Sequence, residues 1–257
     1  MTMNAIERIR SYLRDLLMDR GIIARCELLN RTYEIVRSTN LSQSEMEELH
    51  KLVGKQVAAG VFANLLSGAP IFFDLPRLDT YTLLNDKIFH FVHTEKYGKE
   101  DFDNAYRKFQ ASIPELRNIL RQNMVDILTE LMTEAGYGVI DVSSQTIRFE
   151  APERRADCIV YTSVGSVNLD DCRRDPKADC IILVPSGDNL EPFMKFFREK
   201  GAASEEARIQ IWVVNLEQGA IDPFIGYTTD LDIYRQFKNP RLAEMVRSTW
   251  GSKCSPQ

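Results

Sequence analysis

A short motif occurs twice in this sequence, as Arg155–Val160 (RADCIV) and again, twenty-two positions later, as Lys177–Ile182 (KADCII). Each copy places an aspartate and a cysteine directly before an aliphatic run. Carboxylates and thiolates are metal ligands, so the repeat raises the question of a metal site. Structural zinc sites usually space paired ligands by about two to four residues. The cysteine spacing here is much wider, and no histidine follows His93, so we expect no metal site.

The two aspartates of the repeat, Asp157 and Asp179, are candidate catalytic carboxylates. If the strands that they open pair antiparallel, they lie about 20 Å apart, because a strand rises by about 3.3 Å per residue. In a parallel pair they could be neighbours, but the intervening segment contains no full crossover helix. The spacing therefore favours two separate strand openings over one bipartite site.

Two arginine pairs flank the repeat, Arg154–Arg155 and Arg173–Arg174, and arginine commonly contacts nucleic-acid phosphates. Residues 151–179, however, contain five basic and six acidic side chains. Such mixing is typical of a solvated rim with salt bridges. We expect nucleic-acid contact here to be weak at most.

His90 and His93 would share one face of a helix, as paired metal ligands can. No third ligand accompanies them in the sequence. We interpret both as packing or surface residues.

The bulk composition is that of a globular protein. The chain has 257 residues and a net charge of -5, which excludes a uniformly basic surface. The first residues lack the apolar core of a signal peptide. The five cysteines are an odd number and widely spaced, which favours reduced, independent thiols in a cytoplasmic protein.

An uncharged stretch covers residues 56–73 and includes Gly68 and Pro70. A spanning helix needs about twenty predominantly apolar residues. We therefore expect a buried helix and no membrane segment. Its density of alanine and glycine offers a close-packing face, which predicts a homodimer.

The elements around these residues suggest two parts, 1–103 and 104–257. The first part is mainly helical: the apolar spacing predicts helices over 4–20, from a capping box at Ser42 to Leu66, and over 81–93. In the second part a capping box at Ser112 begins a helix. Strands are predicted at 137–142, 146–149, 158–162, 180–184, 209–214 and 223–227, with helices from Asn189 to Gly201 and from Asn239. The fold class is α/β, with a mixed sheet flanked by helices.

Apart from the strand at 137–142, the order helix, three strands, helix, strand over residues 112–215 resembles the core of the restriction-endonuclease-like superfamily, the PD-(D/E)XK nucleases. In that family, an acid on the second strand and a Glu-x-Lys on the third hold a divalent metal and position water. Asp157 is similar to the first acid. The third strand reads DCIILVPS and has no Glu-x-Lys.

The resemblance implies further candidates at the positions around that strand. Asp179 and Asp188 could replace the missing ligands, and Glu134 could supply the acid that some members take from the preceding helix. Only in that case would the protein use Mg²⁺ or Mn²⁺.

We therefore favour a non-catalytic binding or scaffold protein with a degenerate nuclease-like sheet. One alternative is a metal-dependent nuclease with displaced carboxylates. Another is an enzyme that acts on a small molecule in a pocket between the two parts.

Overall fold

The computed structural model has the predicted α/β architecture, with helices in the N-terminal half followed by a mixed sheet. The structure describes residues 4–67, 78–84, 87–143, 145–172, 178–186, 191–206 and 209–224. The helix predicted from Asn239 lies outside these residues. The chain forms two compact units: an N-terminal unit, Met1–Asn123 with Glu217–Gly219, and a C-terminal unit that begins at Met124.

Four helices begin the N-terminal unit. They are α1 (Ala5–Arg20), α2 (Arg25–Ser38), α3 (Gln43–Val53) and α4 (Val57–Leu66). The predicted capping box at Ser42 is confirmed, since its hydroxyl and the Glu45 carboxylate each accept the other's backbone N–H. The single helix predicted from Ser42 to Leu66 is wrong, because α3 ends at Gly54, where φ is 90°.

The apolar side of α4 is covered within its own chain. Val61, Phe62 and Leu65 are at most 1% exposed, and α4 packs against α2 and α3. A Cβ atom on Gly60 would lie only 2.0 Å from the Val53 carbonyl oxygen, so the small residue permits this close approach. The homodimer thus loses the basis that the sequence offered in residues 56–67, and it stays a prediction.

No helix within the described residues is both long and apolar enough to span a membrane.

A three-stranded antiparallel sheet completes the N-terminal unit. Its strands are β1 (Ile22–Ala24), β2 (Leu78–Leu84) and β3 (Lys87–His93), in the order β1–β3–β2. The helix predicted over 81–93 is therefore wrong. The two faces of the β2–β3 hairpin differ in burial: Leu84 and Phe91 on one face are buried, whereas Leu83 and Ile88 on the other are exposed.

Helix α5 (Lys99–Glu134) is a single helix of 36 residues. It runs through the predicted boundary after residue 103, and the two units divide after Asn123. The helix start predicted at Ser112 is wrong, because the Ser112 hydroxyl donates to the Phe109 carbonyl (2.8 Å) inside the helix. Phe102 and Ala105, both buried, extend the apolar stripe upstream and explain the longer helix.

The C-terminal unit contains a six-stranded mixed sheet whose spatial order equals the chain order. Its strands are β4 (Gly138–Val142), β5 (Thr146–Ala151), β6 (Arg154–Val160), β7 (Ala178–Pro185), β8 (Gln210–Asn215) and β9 (Ala220–Phe224). The pairs β6–β7 and β7–β8 are parallel, and the other three pairs are antiparallel. Helix α6 (Glu191–Glu206) connects β7 to β8 and continues through Gly201.

The antiparallel pairing of β6 and β7 that the sequence favours is wrong, because the two strands pair parallel. The described part of their connection, residues 161–172, contains two one-turn 3-10 helices, Val164–Ser166 and Leu169–Asp171, and no α-helix. The Tyr161 hydroxyl fixes this segment by donating to the Asp171 carboxylate (2.5 Å), and its oxygen also lies 3.0 Å from the Asn168 carbonyl oxygen. Burial and the Asp171 carboxylate raise the pKa of Tyr161 to about 12.

Strands β6, β7 and β8, which we call the covered half of the sheet, have buried apolar residues on both faces. On one face α6 and the crossover segment pack against them through a single cluster of buried side chains. This cluster contains Ile159, Tyr161, Val164, Val167, Ile182, Val184, Phe193, Phe196, Ile209, Ile211 and Val213. On the opposite face the alternate residues Cys158, Ile181 and Leu183 are fully buried.

The cysteines differ from the prediction of independent thiols. Cys172 and Cys180 form a disulfide, with their Cα atoms 6.3 Å apart. The parallel crossover is the physical reason, because it returns the chain from the second 3-10 helix to the start of β7. Cys158 is buried with a free thiol, and Cys26 is exposed. Burial, and then the nearby Asp157 carboxylate, raise the pKa of Cys158.

Candidate functional site

The structure places the two aspartates of the repeat on neighbouring strands but on opposite faces of the sheet. Because β6 and β7 are parallel, Asp157 lies opposite Cys180, and Asp179 lies opposite Ala156. Side chains alternate between faces along a strand, so this one-residue offset separates the two carboxylates. The two carboxylates therefore do not converge. The strand opening predicted at Asp157 is wrong, because β6 begins at Arg154.

Asp157 belongs to a charged ladder that crosses β4, β5 and β6, formed by Asp141, Arg148, Asp157, Glu150 and Arg155. Arg148 Nε lies 3.3 Å from the Asp157 carboxylate, and Arg155 Nε lies 3.1 Å from the Glu150 carboxylate. Both arginine side chains are 55% exposed. Cross-strand pairs of opposite charge are a common way to stabilise a solvated sheet face. The ladder therefore has a structural explanation without a ligand.

The other predicted site residues do not join this ladder. Glu134 is an exposed residue at the end of α5, and Arg154 is half-buried at the start of β6. Asp188, Arg173 and Arg174 lie outside the described residues. Among the residues that the structure describes, no group of three histidine, cysteine, aspartate or glutamate side chains could hold a metal ion.

The two histidines lie on β3, not on a helix, and a spacing of three turns them to opposite faces. The His90 ring stacks on Tyr81, with ring centroids 3.9 Å apart, and the Asp79 carboxylate contacts its Nε2 atom. His93 is buried and bonded to Thr80 Oγ1 at 2.8 Å. They do not form a shared site.

Strand β4 is the exposed edge of the six-stranded sheet, and all five of its residues are exposed. Val139, Ile140 and Val142 are 43%, 51% and 55% exposed. With β5, which is open on the face that carries the charged ladder, β4 forms the open half of the sheet. An edge strand of this kind presents backbone groups that another chain can bind.

The direction of these backbone groups follows from the pairing. Ser143 donates its N–H to the Thr146 carbonyl (2.8 Å), so Ser143 faces β5. Residues alternate along an antiparallel ladder, and Val142 therefore directs its N–H and C=O away from β5. A register shift between Val139 and Asp141 marks a bulge at Ile140, which limits the regular part of the edge to its C-terminal end.

An open cavity of about 460 Å³ adjoins β4. Its lining consists of the first half of β4 and the turn between β5 and β6. The residues are Gly138, Val139, Ile140, Glu150, Ala151, Pro152 and Glu153. The lining is about equally polar and apolar, and two glutamates supply the charge.

Glu153 adopts a backbone conformation that is unusual for its residue type. It occupies the second position of the two-residue turn Pro152–Glu153 with φ of 64°. Within the described residues it is the only one other than glycine with a positive φ. Proline followed by a positive φ is the pattern of a type II turn, where glycine or asparagine is usual. The turn thus carries a glutamate at a position where glycine would be less strained.

A second exposed apolar surface lies on the β2–β3 hairpin and consists of Tyr81, Leu83 and Ile88, which are 64% to 74% exposed. Leu83 and Ile88 are cross-strand partners. The chain on either side of β2, residues 68–77 and 85–86, is outside the described part.

Sequence reasoning placed β4 correctly but did not identify it as a site. Its exposure depends on what covers the sheet, which the local pattern does not encode. One signal was present: Val139, Ile140 and Val142 do not alternate cleanly with polar residues, as a half-buried strand would. Pro152 between two strand-like runs was the signal for the turn.

Comparison with known proteins gives a match to a family model and weak similarity to solved structures. Residues 171–239 match the model of a domain of unknown function, DUF6834, C-terminal domain. No curated protein matches the sequence. Among solved structures, the chain is similar to an FdxN element excision controlling factor protein from Anabaena variabilis, at 15% identity over 41% of this chain and 99% of that chain. The TM-score of 0.28 is too low to support any conclusion from this similarity.

Proposed function

We propose that the protein is a non-catalytic binding module that docks an extended segment of a partner protein along β4. The observation that carries this proposal is the fully exposed edge strand, with three large apolar side chains, beside a cavity of about 460 Å³. Strand addition at a sheet edge uses backbone hydrogen bonds for affinity and pockets for side-chain specificity. β4 offers both features.

The charges around β4 favour a protein partner over nucleic acid. Arg155 is paired with Glu150, and the cavity is lined by glutamates. A phosphate backbone would meet carboxylates there, which repel it. Binding of nucleic acid through Arg154 and Arg155 is therefore the less favoured outcome of the tests below.

We also propose that the sheet is a degenerate nuclease-like sheet, on the basis of the order of its strands and helices. The chain-ordered strands with α6 between β7 and β8 support it. β7 carries Ile181–Pro185 where the family's Glu-x-Lys would lie. A sheet with this order of strands but without the metal-binding Glu-x-Lys residues is consistent with a protein that binds a partner and does not hydrolyse nucleic acid.

A cytoplasmic location also belongs to the proposal. The Cys172–Cys180 disulfide counts against it, because stable disulfides are rare in the cytosol.

The direct test removes one outward hydrogen-bond donor from the edge. Peptides that bind the full chain are first selected from a phage-displayed random library. Their affinities for the wild type, Val142→Pro and Val142→Ala are then measured. Proline removes the Val142 N–H and leaves the Ser143–Thr146 hydrogen bond in place. We expect Val142→Pro to bind about tenfold more weakly, since one hydrogen bond contributes about 0.5–1.5 kcal/mol.

Val142→Ala is the matched control, because it shortens the same side chain but keeps the N–H. It is expected to retain more of the affinity than the proline variant. Circular dichroism establishes that both variants are folded. Peptides that bind Val142→Pro as tightly as Val142→Ala contradict strand addition at β4.

A further inference from the structure

The cavity beside β4 has a lining that fits one class of side chain. Val139, Ile140 and Pro152 contribute apolar surface, and Glu150 and Glu153 contribute carboxylates. Lysine and arginine have long aliphatic stems that pack on apolar surface while the charged head stays at a polar rim. A cationic side chain therefore matches both parts of the lining.

The two glutamates are not equivalent. The Glu150 carboxylate already accepts from Arg155 Nε at 3.1 Å. Glu153 is exposed at the turn, in the left-handed backbone conformation that disfavours any residue with a Cβ. Strained conformations of this kind concentrate at functional sites, where the side chain is needed for more than local stability.

Building on the proposed function, we infer that this cavity receives one lysine or arginine side chain of the bound segment and that Glu153 selects it. The net charge of -5 also favours the approach of a basic segment over an acidic one. Glu153 is thus a specificity residue, whereas the Val142 backbone supplies affinity that does not depend on side-chain charge.

The test compares three capped peptides of equal length that alternate valine and threonine around a central lysine, norleucine or glutamate. Norleucine keeps the aliphatic stem of lysine without the ammonium group. The probes are titrated into the full ¹⁵N-labelled chain, and the amide shifts of β4 are followed. We expect the lysine peptide to bind about threefold more tightly than the norleucine peptide, as for a solvent-exposed ion pair, and the glutamate peptide to bind most weakly.

The preference for lysine should disappear in Glu153→Gln and at about 1 M salt, where the Debye length falls to about 3 Å. Glu153→Gly is a second variant that removes the carboxylate and relieves the backbone, so a loss of preference there cannot be ascribed to misfolding. A matched change elsewhere in the charged ladder, Asp157→Asn on β6, should leave the preference in place.

The outcomes separate the inference from the proposed function on which it rests. Equal shifts of β4 amides with lysine and norleucine peptides, or a lysine preference that survives in Glu153→Gln, overturn the inference and leave strand addition at β4 intact. Peptides that leave β4 amides unshifted while other regions respond overturn both.

Discussion

The covered and open halves of the six-stranded sheet use similar strands in opposite ways. In the covered half, Ile182, Val184 and Val213 are at most 2% exposed and lie against α6 and the crossover segment. In the open half, one face of β5 carries ion pairs, and β4 is exposed throughout. The covered half buries its apolar side chains, whereas the open half leaves apolar side chains of β4 exposed at the edge where we propose that a segment binds.

The difference between the two halves also bears on Asp157 and Asp179, the two aspartates that suggested a catalytic site in the sequence. Asp157 lies in the middle of β6 and Asp179 near the start of β7, on opposite faces of the sheet. Asp157 is paired with Arg148 of the open half. The exposed β4 edge, which carries no recognisable sequence motif, is the site that we propose.

The largest expected effect comes from a cavity in the covered half. Ile182→Ala should lower the free energy of unfolding by about 2–5 kcal/mol, because Ile182 is fully buried. The matched truncation in the open half, Val142→Ala, should change it by less than about 0.5 kcal/mol. Urea denaturation measures both, and equal costs for the two variants would abolish the distinction between the halves.

The disulfide should contribute next. Cys172→Ser opens the short loop between Cys172 and Cys180 and should lower the free energy of unfolding by about 2–3 kcal/mol. A reductant should destabilise the wild type by a similar amount and leave the variant unchanged. Alkylation of the unfolded, unreduced protein should spare Cys172 and Cys180. Labelling of both would restore the prediction of independent thiols.

The charged ladder should contribute less. A double-mutant cycle of Asp157→Ala and Arg148→Ala should give a coupling free energy below about 1 kcal/mol, since the Arg148 side chain is 55% exposed.

We also expect no cleavage of DNA or RNA with Mg²⁺ or Mn²⁺. Metal-dependent cleavage that disappears in Asp157→Ala, with the circular dichroism unchanged, would instead support the nuclease alternative.

The smallest effect should have the opposite sign. Glu153→Gly relieves the positive φ of 64°, and should raise the free energy of unfolding by up to about 1 kcal/mol. Glu150→Gly, inside β5, should lower it. A decrease in both variants would mean that the Glu153 side chain stabilises the turn, and that its conformation is not a strain retained at the cavity.

The sequence predicts the strands of the covered half well, because runs such as Ile209–Val214 are continuously apolar. It does not predict the direction in which β6 and β7 pair. A parallel crossover usually contains an α-helix, whose periodicity is readable. Here the one-turn helices Val164–Ser166 and Leu169–Asp171 are too short to leave a periodic signal.

The candidate site is less predictable than the fold for a physical reason. Whether Val139 and Val142 are exposed depends on which elements cover the sheet, and this is decided by tertiary packing. The positive φ of Glu153 is likewise invisible in the sequence, since glutamate is not a residue that marks such a turn.

Hydrogen–deuterium exchange of the full chain, free and bound to a selected peptide, tests the β4 edge most directly. In the free protein the Val142 amide should exchange rapidly, because its N–H points away from β5 and donates no hydrogen bond to that strand. The amides of β7, which pair with strands on both sides, should be protected. Binding should protect the Val142 amide and leave β7 unchanged. Protection that appears at the β2–β3 hairpin or at α6, with Val142 still exchanging rapidly, would contradict the account.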